Sequence, residues 1–284
     1  MTLATHPIGV FDSGIGGLSV LRALQAALPH EHFVYLADNA HAPYGEKSDL
    51  SVRQRTHAIA QHLISRHRIK ALVVACNTAT AVAIHELRAH HPKLPLVGVE
   101  PALKPAVAMS QTRRIGVIAT RGTVGSDKFA RLLQGLQDQA EFVVQACNGL
   151  ALAIEQSTLP HHADSAQQRI HELLVTYTSG MGAFGAGPGQ IDTLVLGCTH
   201  YVFVQEALQT LLGPAVQMVS TGEPVARQTH RLLQAAGLLH RGPAPLSASA
   251  RLSLFTTGDL HGLQAAAHRW LDLPASSCHT VHAV

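Results

Sequence analysis

Two stretches decide the fold, Ala71-Leu-Val-Val-Ala-Cys76-Asn77-Thr78 and Thr193-Leu-Val-Leu-Gly-Cys198-Thr199-His200. Each is a run of small and branched apolar residues, the pattern of a strand buried on both faces. Each ends on a cysteine followed by small hydrogen-bonding residues. In a parallel sheet such strand ends face the crevice where ligands collect, because the next helix starts there and points free N–H groups into it. Cys76 and Cys198 are therefore candidates for a pair of acid/base groups facing one another across a substrate.

The surroundings of the two cysteines repeat as well. Ile115-Gly-Val-Ile-Ala-Thr-Arg-Gly122 mirrors Ile8-Gly-Val-Phe-Asp12-Ser13-Gly14, and Glu223-Pro224 follows its cysteine by 25 residues where Glu100-Pro101 follows by 24. The repeat predicts two similar α/β units that pair face to face and bring the thiols to opposite walls of one cleft. One set of elements is left after Glu223, so the tail is expected to pack back on the first unit. The expected domains are 1–98 plus 224–284, and 99–223.

Composition agrees with layers of helix and sheet. Of 284 residues, 46% are apolar, 14% charged and only 4% aromatic, so the core is packed from Ala, Val, Leu and Ile. A net charge of +3 without a dense Lys/Arg stripe gives no support to nucleic-acid binding. The four cysteines, at 76, 147, 198 and 278, show neither a Cys-x-x-Cys pair nor a structural-zinc spacing, which points to free thiols in a reducing compartment. Cys147 has no counterpart in the first half and Cys278 lies near the end of the chain, so both are expected to be structural. No stretch resembles a leader or approaches a membrane-spanning run, and the expectation is a cytoplasmic protein with no membrane partner. The 20 histidines are scattered along mostly helical segments and read as surface residues. His200 is the exception, two residues after a strand-end cysteine.

Along the chain, the remaining strands are expected at Ile8–Phe11, Phe33–Ala37, Leu96–Val99, Glu141–Cys147 and Leu252–Thr256. Helices are expected near Leu18–Leu28, Ser48–His67, Ala79–His90, Asp164–Tyr177, Gln228–Leu239 and Leu260–Leu271, with Pro101 in a helical first turn and a short helix at Leu150–Glu155 carrying one acid. Asp12-Ser-Gly-Ile-Gly-Gly17 is a strand-to-helix turn whose backbone N–H groups allow close approach of an anion. It is neither a dinucleotide fingerprint nor a Walker loop, and a tight turn with no ligand is the plainer alternative. Tyr44, between Pro43 and Gly45, is either a loop anchor or a substrate wall. Ser179–Gly189 is too rich in glycine for regular structure and reads as a mobile surface loop, and Gly242–Ala250 as a loose stretch.

A thiol titrates near pH ~8.5 and is easily lowered by a helix N-terminus, so a thiolate is accessible near neutrality. One thiolate removing a proton from a stereocentre while an opposing thiol returns one to the other face inverts that centre. Asp12 near Cys76, and His200 with Glu155 near Cys198, are candidate tuners of the two protonation states. A hydrolase with one nucleophilic cysteine and His200 as base would leave the second cysteine unexplained.

Together these loops resemble those of cofactor-independent glutamate racemases of the aspartate/glutamate racemase family. The matching pieces are Phe11–Val20, Pro43–Gly45, Ala75–Ala79, Val99–Ala102, Gly197–Tyr201 and Phe255–Asp259, in family order over nearly the whole chain. The resemblance implies two doubly wound α/β domains with mostly parallel sheets, related by a pseudo-twofold axis, with the active site between them. It implies an isomerase that uses no pyridoxal phosphate, metal or nucleotide. It also assigns roles by position: Cys76 as base toward D-glutamate, Cys198 as base toward L-glutamate, and Asp12 and His200 assisting. Ser13, Tyr44, Gly45, Asn77, Thr78 and Thr199 would hold the substrate. The D-glutamate product would feed peptidoglycan synthesis and so cell wall and cell shape, and the chain would act as a homodimer or in a monomer–dimer equilibrium. Two departures stand out: Ser220-Thr221 where relatives usually carry Asp-Ser, and a longer glycine-rich loop at 179–189. The alternatives to glutamate racemisation are racemisation of another amino acid such as aspartate, and a phosphate- or sugar-binding module built on the Gly14–Gly17 turn.

Overall fold

A computed structural model describes residues 3–242, 249–281 and 284. Its strands are β1 (Ile8–Asp12), β2 (Phe33–Ala37), β3 (Ala71–Val74), β4 (Leu96–Gly98), β5 (Arg114–Ala119), β6 (Glu141–Ala146), β7 (Thr193–Leu196), β8 (Gln217–Val219), β9 (Leu252–Thr256) and β10 (Cys278–Thr280). The helices are α1 (Leu18–Ala27), α2 (Asp49–His67), α3 (Asn77–His90), α4 (Leu103–Met109), α5 (Arg121–Val124), α6 (Asp127–Gln134), α7 (Leu150–Gln156), α8 (Ala163–Ser179), α9 (Gln205–Leu212), α10 (Gly222–Ala235) and α11 (Leu260–Leu271).

The strands form two wholly parallel sheets, one in the order β10-β9-β2-β1-β3-β4 and one in the order β6-β5-β7-β8. The order β2-β1-β3-β4 recurs in the second sheet, and so does the register. Ile8 lies beside Ala71 and Ile115 beside Thr193, and in each case the cysteine follows that partner by five residues. Duplication at the level of backbone pairing therefore sets Cys76 and Cys198 at equivalent strand ends. Helices cover both faces of the first sheet, as parallel strands require. One core joins α1, α10 and α11 through Leu18, Leu21, Val225, Leu233 and Leu263, and another joins α2 and α3 through Ile59, Leu63 and Ile84. The chain's tail thus returns to the first sheet, where β9 pairs with β2 and β10 with β9.

Several elements differ from expectation for local reasons. Helix α10 starts at Gly222 rather than near Gln228, because Pro224 is tolerated in a first turn, and it gives way at Gly237 with φ 66°. Pro101 precedes α4 instead of lying in its first turn, a place taken by Pro105. Helix α3 begins at Asn77, directly after Cys76, whose sulfur caps it by accepting from the Ala79 N–H at 3.5 Å. The segment 179–189 lacks regular structure as expected but is tied rather than free. Gly185 N–H donates to Ile191 O at 3.0 Å, Ile191 N–H to Ala183 O at 2.9 Å, and Met181 is buried in a core of the second sheet with Leu194 and Ile191. Its glycines at 182, 185 and 189 take positive φ, so they serve tight bends. Residues 243–248 of the loose stretch lie outside the described residues. No helix among the described residues is long and apolar enough to cross a membrane.

At the end of the first sheet opposite the cysteines, Lys70 and Glu31 form an ion pair, with side chains 0% and 2% exposed. Lys70 also donates to Ala4 O at 2.5 Å, and Glu31 accepts from His240 N–H at 2.9 Å. Removing one partner strands the other charge in the interior. Lys70→Met should therefore lower stability by about 3–5 kcal/mol in denaturant titrations, and Lys70→Met with Glu31→Leu should restore most of it. A double variant no more stable than the single one would show that the pair is not what holds this end.

Candidate active site

Cys76 and Cys198 are 5% and 6% exposed, each at the strand end that its sequence foretells. An unbroken set of contacts links them. The Cys76 thiol points at Ser13 Oγ at 3.8 Å, and Ser13 donates to Asp12 Oδ1 through Oγ at 3.2 Å and through its backbone N–H at 2.6 Å. Asp12 Oδ2 accepts from Thr199 Oγ1 at 3.0 Å, and Thr199 is the residue after Cys198. Asp12 stands at the end of β1 and Thr199 after the end of β7, so this bond crosses from one sheet to the other.

Beyond Cys198 the contacts become ionic. His200 Nδ1 lies 3.7 Å from the Cys198 sulfur, and His200 Nε2–H donates to Glu155 Oε1 at 2.5 Å. Glu155, on α7, also accepts from Ile15 N–H at 2.7 Å and from Asn39 Nδ2 at 2.8 Å. The glycine turn thus binds an anion, and that anion is the protein's own carboxylate. A Cβ on Gly14 would lie 1.7 Å from Glu155 Oε1, and one on Gly16 would lie 2.3 Å from His200 Nδ1. Glycines are required here for close approach across the cleft, and a phosphate- or sugar-binding turn is not what they build.

Electrostatics distinguish the two thiols. Burial, reinforced by the Asp12 carboxylate, holds the Cys76 thiol well above its ordinary range and keeps it protonated. Burial also raises Asp12. For His200, burial alone would lower the pKa, but contacts with Cys198 and Glu155 outweigh it and raise the imidazole well above its ordinary value. One side of the cleft therefore presents a thiol among hydroxyls, and the other a sulfur beside a cationic ring.

The other expected binding residues gather around Cys76. Thr78 Oγ1 is 3.0 Å from Thr120 Oγ1 across the cleft, and Gly45 packs directly on Thr120. Asn77 is 4% exposed, and both polar atoms of its amide lack a partner among the described residues. Duplication explains the difference: Thr199, the counterpart of Asn77, bonds Asp12, whereas the counterpart of Asp12 is Ala119, which offers no acid. Tyr44 is buried, and its hydroxyl donates to Asp38 Oδ2 at 2.6 Å. Its hydroxyl thus anchors the loop, while its ring packs in the core beside Cys76. Asp38 and Arg55 were not foreseen. Arg55 donates to both Asp38 oxygens at 2.9 Å, and although burial favours protonation of Asp38, the bonds from Arg55, Tyr44 and Thr257 keep it below the usual carboxylate range. The available signal was position, since Asp38 directly follows β2 where the neighbouring β1 ends on Asp12. Cys147 and Cys278 are buried, with thiols raised to about 12 and about 11 by burial.

A profile described as Asp/Glu/hydantoin racemase matches residues 8–229. The chain is 44% identical over 265 residues to the glutamate racemase of Ectopseudomonas mendocina (strain ymp), covering 93% of this chain and 94% of that one. This chain belongs to the Asp/Glu/hydantoin racemase family. Among solved structures, the glutamate racemase isoform RacE1 from Bacillus anthracis matches with a TM-score of 0.81 and 31% identity, over 98% of this chain and 97% of that one. The Escherichia coli glutamate racemase, solved in complex with L-glutamate and the activator UDP-MurNAc-Ala, matches with a TM-score of 0.77 and 31% identity, over 93% and 95%.

The raised pKa of His200 has a consequence for stability. A group whose pKa rises on folding contributes stability that is complete below its unfolded value, about 6.5, and is lost as pH rises through the folded value. The melting-temperature difference between the native chain and His200→Asn should therefore be largest near pH 6 and shrink toward pH 10. A difference that grows with pH would contradict the His200–Glu155 contact.

Proposed function

We propose that this chain interconverts L- and D-glutamate by passing the Cα proton between Cys76 and Cys198 in a cleft between two units, 1–98 with 224–284 and 99–223. The observation that carries the proposal is the pair of thiols at equivalent strand ends, joined through Ser13, Asp12 and Thr199. From L-glutamate, the Cys198 thiolate takes the proton, the C–H electron pair passes to the carbanion beside the α-carboxylate, and the Cys76 thiol gives its proton to the opposite face. From D-glutamate the roles reverse. A thiol kept protonated on one side and a ring N–H directed at the sulfur on the other suit the starting states of the L-to-D direction, and that turnover leaves Cys76 as the thiolate and Cys198 as the thiol from which the reverse begins.

Asp12, His200 and Glu155 set those states. Ser13, Asn77, Thr78 and Thr199, with backbone N–H groups at Gly45 and the start of α3, hold the dicarboxylate, and the ring of Tyr44 backs Cys76. The unpartnered amide of Asn77 is the clearest support for a ligand on that side, because a buried amide without a partner costs about 1–3 kcal/mol. The glutamate bound by the Escherichia coli relative supports the choice of substrate. In the cytoplasm the product supplies D-glutamate to peptidoglycan, and with it the cell wall and cell shape. Self-association as a homodimer or in a monomer–dimer equilibrium belongs to the same proposal.

Cys76→Ala should nearly abolish exchange of the Cα proton of D-glutamate with deuterated water, and Cys198→Ala that of L-glutamate. Equal residual racemisation in both variants would refute two bases. With the native chain, aspartate should turn over far more slowly than glutamate, and comparable rates would remove the assignment of substrate.

A further inference from the structure

Glu155 brings into the site one residue that nothing in the sequence marked. Glu155 and His200 stand on elements of the second sheet, α7 and the turn after β7, whereas the donors to the Glu155 carboxylate, Ile15 and Asn39, stand on turns of the first. Asn39 follows the buried Asp38, the residue directly after β2. Its amide is seated from behind: Thr256 Oγ1, at the end of β9, donates to Asn39 Oδ1 at 3.1 Å. Gly258 approaches so closely that a Cβ there would lie 2.8 Å from Asn39 Cβ. Because a carboxylate only accepts and the threonine hydroxyl donates here, the amide nitrogen faces Glu155 and its oxygen faces Thr256.

We propose that Asn39 is a positioning residue for the Cys198 half of the reaction, holding Glu155 from across the cleft so that Glu155 keeps the His200 ring aligned on the Cys198 sulfur. This inference rests on the two-thiol racemase proposal above. Charge-assisted bonds to a carboxylate are strong, and outer partners of a catalytic ring orient it much as they orient metal-bound histidines. Both of these donors come from the opposite unit, so the carboxylate is fully bonded only when the cleft is closed. Closing the cleft and aligning His200 are then one event. The charged or titratable groups facing His200 are Glu155 from α7, Asp12 from β1 and Cys198 from its own segment.

Two variants test this. Asn39→Ala removes the donor and should lower kcat/KM roughly tenfold or more, equally for both enantiomers because their free energies are equal. Asn39→Asp keeps the shape but sets two carboxyl groups side by side, which share one proton. Its kcat/KM should exceed that of Asn39→Ala at low pH and fall toward it as pH rises, a titration that a purely packing role would not create. Independently of turnover, the NMR titration midpoint of His200, assigned by its loss in His200→Asn, should fall in Asn39→Ala. A fallen midpoint in a native chain that fails to racemise glutamate would sustain the Asn39 contact while removing the racemase proposal. An unchanged midpoint, or an Asn39→Asp profile parallel to that of the native chain, overturns the inference.

Discussion

A proton taken from one face of a carbon is returned to the other most directly when two groups of opposite protonation state are fixed on either side of it. In this fold the backbone sets two cysteines in equivalent places. β3 and β7 stand in the same place in two parallel sheets of the same strand order, and each delivers a cysteine five residues after the same pairing position. Everything else in the site adjusts what those two strand ends offer. The bond from Thr199 to Asp12 matters most among the adjustments, since it joins the two sheets within the site itself.

Duplication supplies two similar thiols, but the chemistry needs them to differ. Substitutions at equivalent positions break the symmetry. Asp12 is matched by Ala119, Ser13 by Thr120, Asn77 by Thr199 and Thr78 by His200. The result is a Cys76 side of hydroxyls and an unpartnered amide, and a Cys198 side of imidazole and carboxylate. Burial raises Cys76, while the neighbours of His200 overcome burial to keep it protonated. Two nearly identical backbone frames thus hold one cysteine among hydroxyls and another beside a cationic imidazole.

Much of this was legible in the sequence because it is local. Continuous apolar runs located β1, β2, β3, β7 and β9, and the spacing of Cys76, Cys198 and the Glu-Pro pairs revealed the repeat. Even Glu155 could be noted as a lone acid on a short helix. Its place with His200 near Cys198 was legible, but its partners Ile15 and Asn39 were not, because they come from turns of the first sheet rather than from any local pattern. The same holds for Arg55 and Asp38, whose pairing depends on how α2 lies over β2. β10 escaped notice because Cys278-His-Thr280 is too short and too polar to display alternation. The glycine-rich segment misled for the opposite reason: composition alone cannot separate glycines that loosen a chain from glycines that let it turn tightly.

The central claim, that two different groups serve the two faces of one carbon, is tested most directly by following the native chain with L-glutamate in deuterated water during the first fraction of conversion. Two opposed thiols predict deuterium at Cα in the D-glutamate formed and protium retained in the L-glutamate recovered. Deuterium entering the recovered L-glutamate as quickly as the product would mean that a single base serves both faces, and would contradict the account.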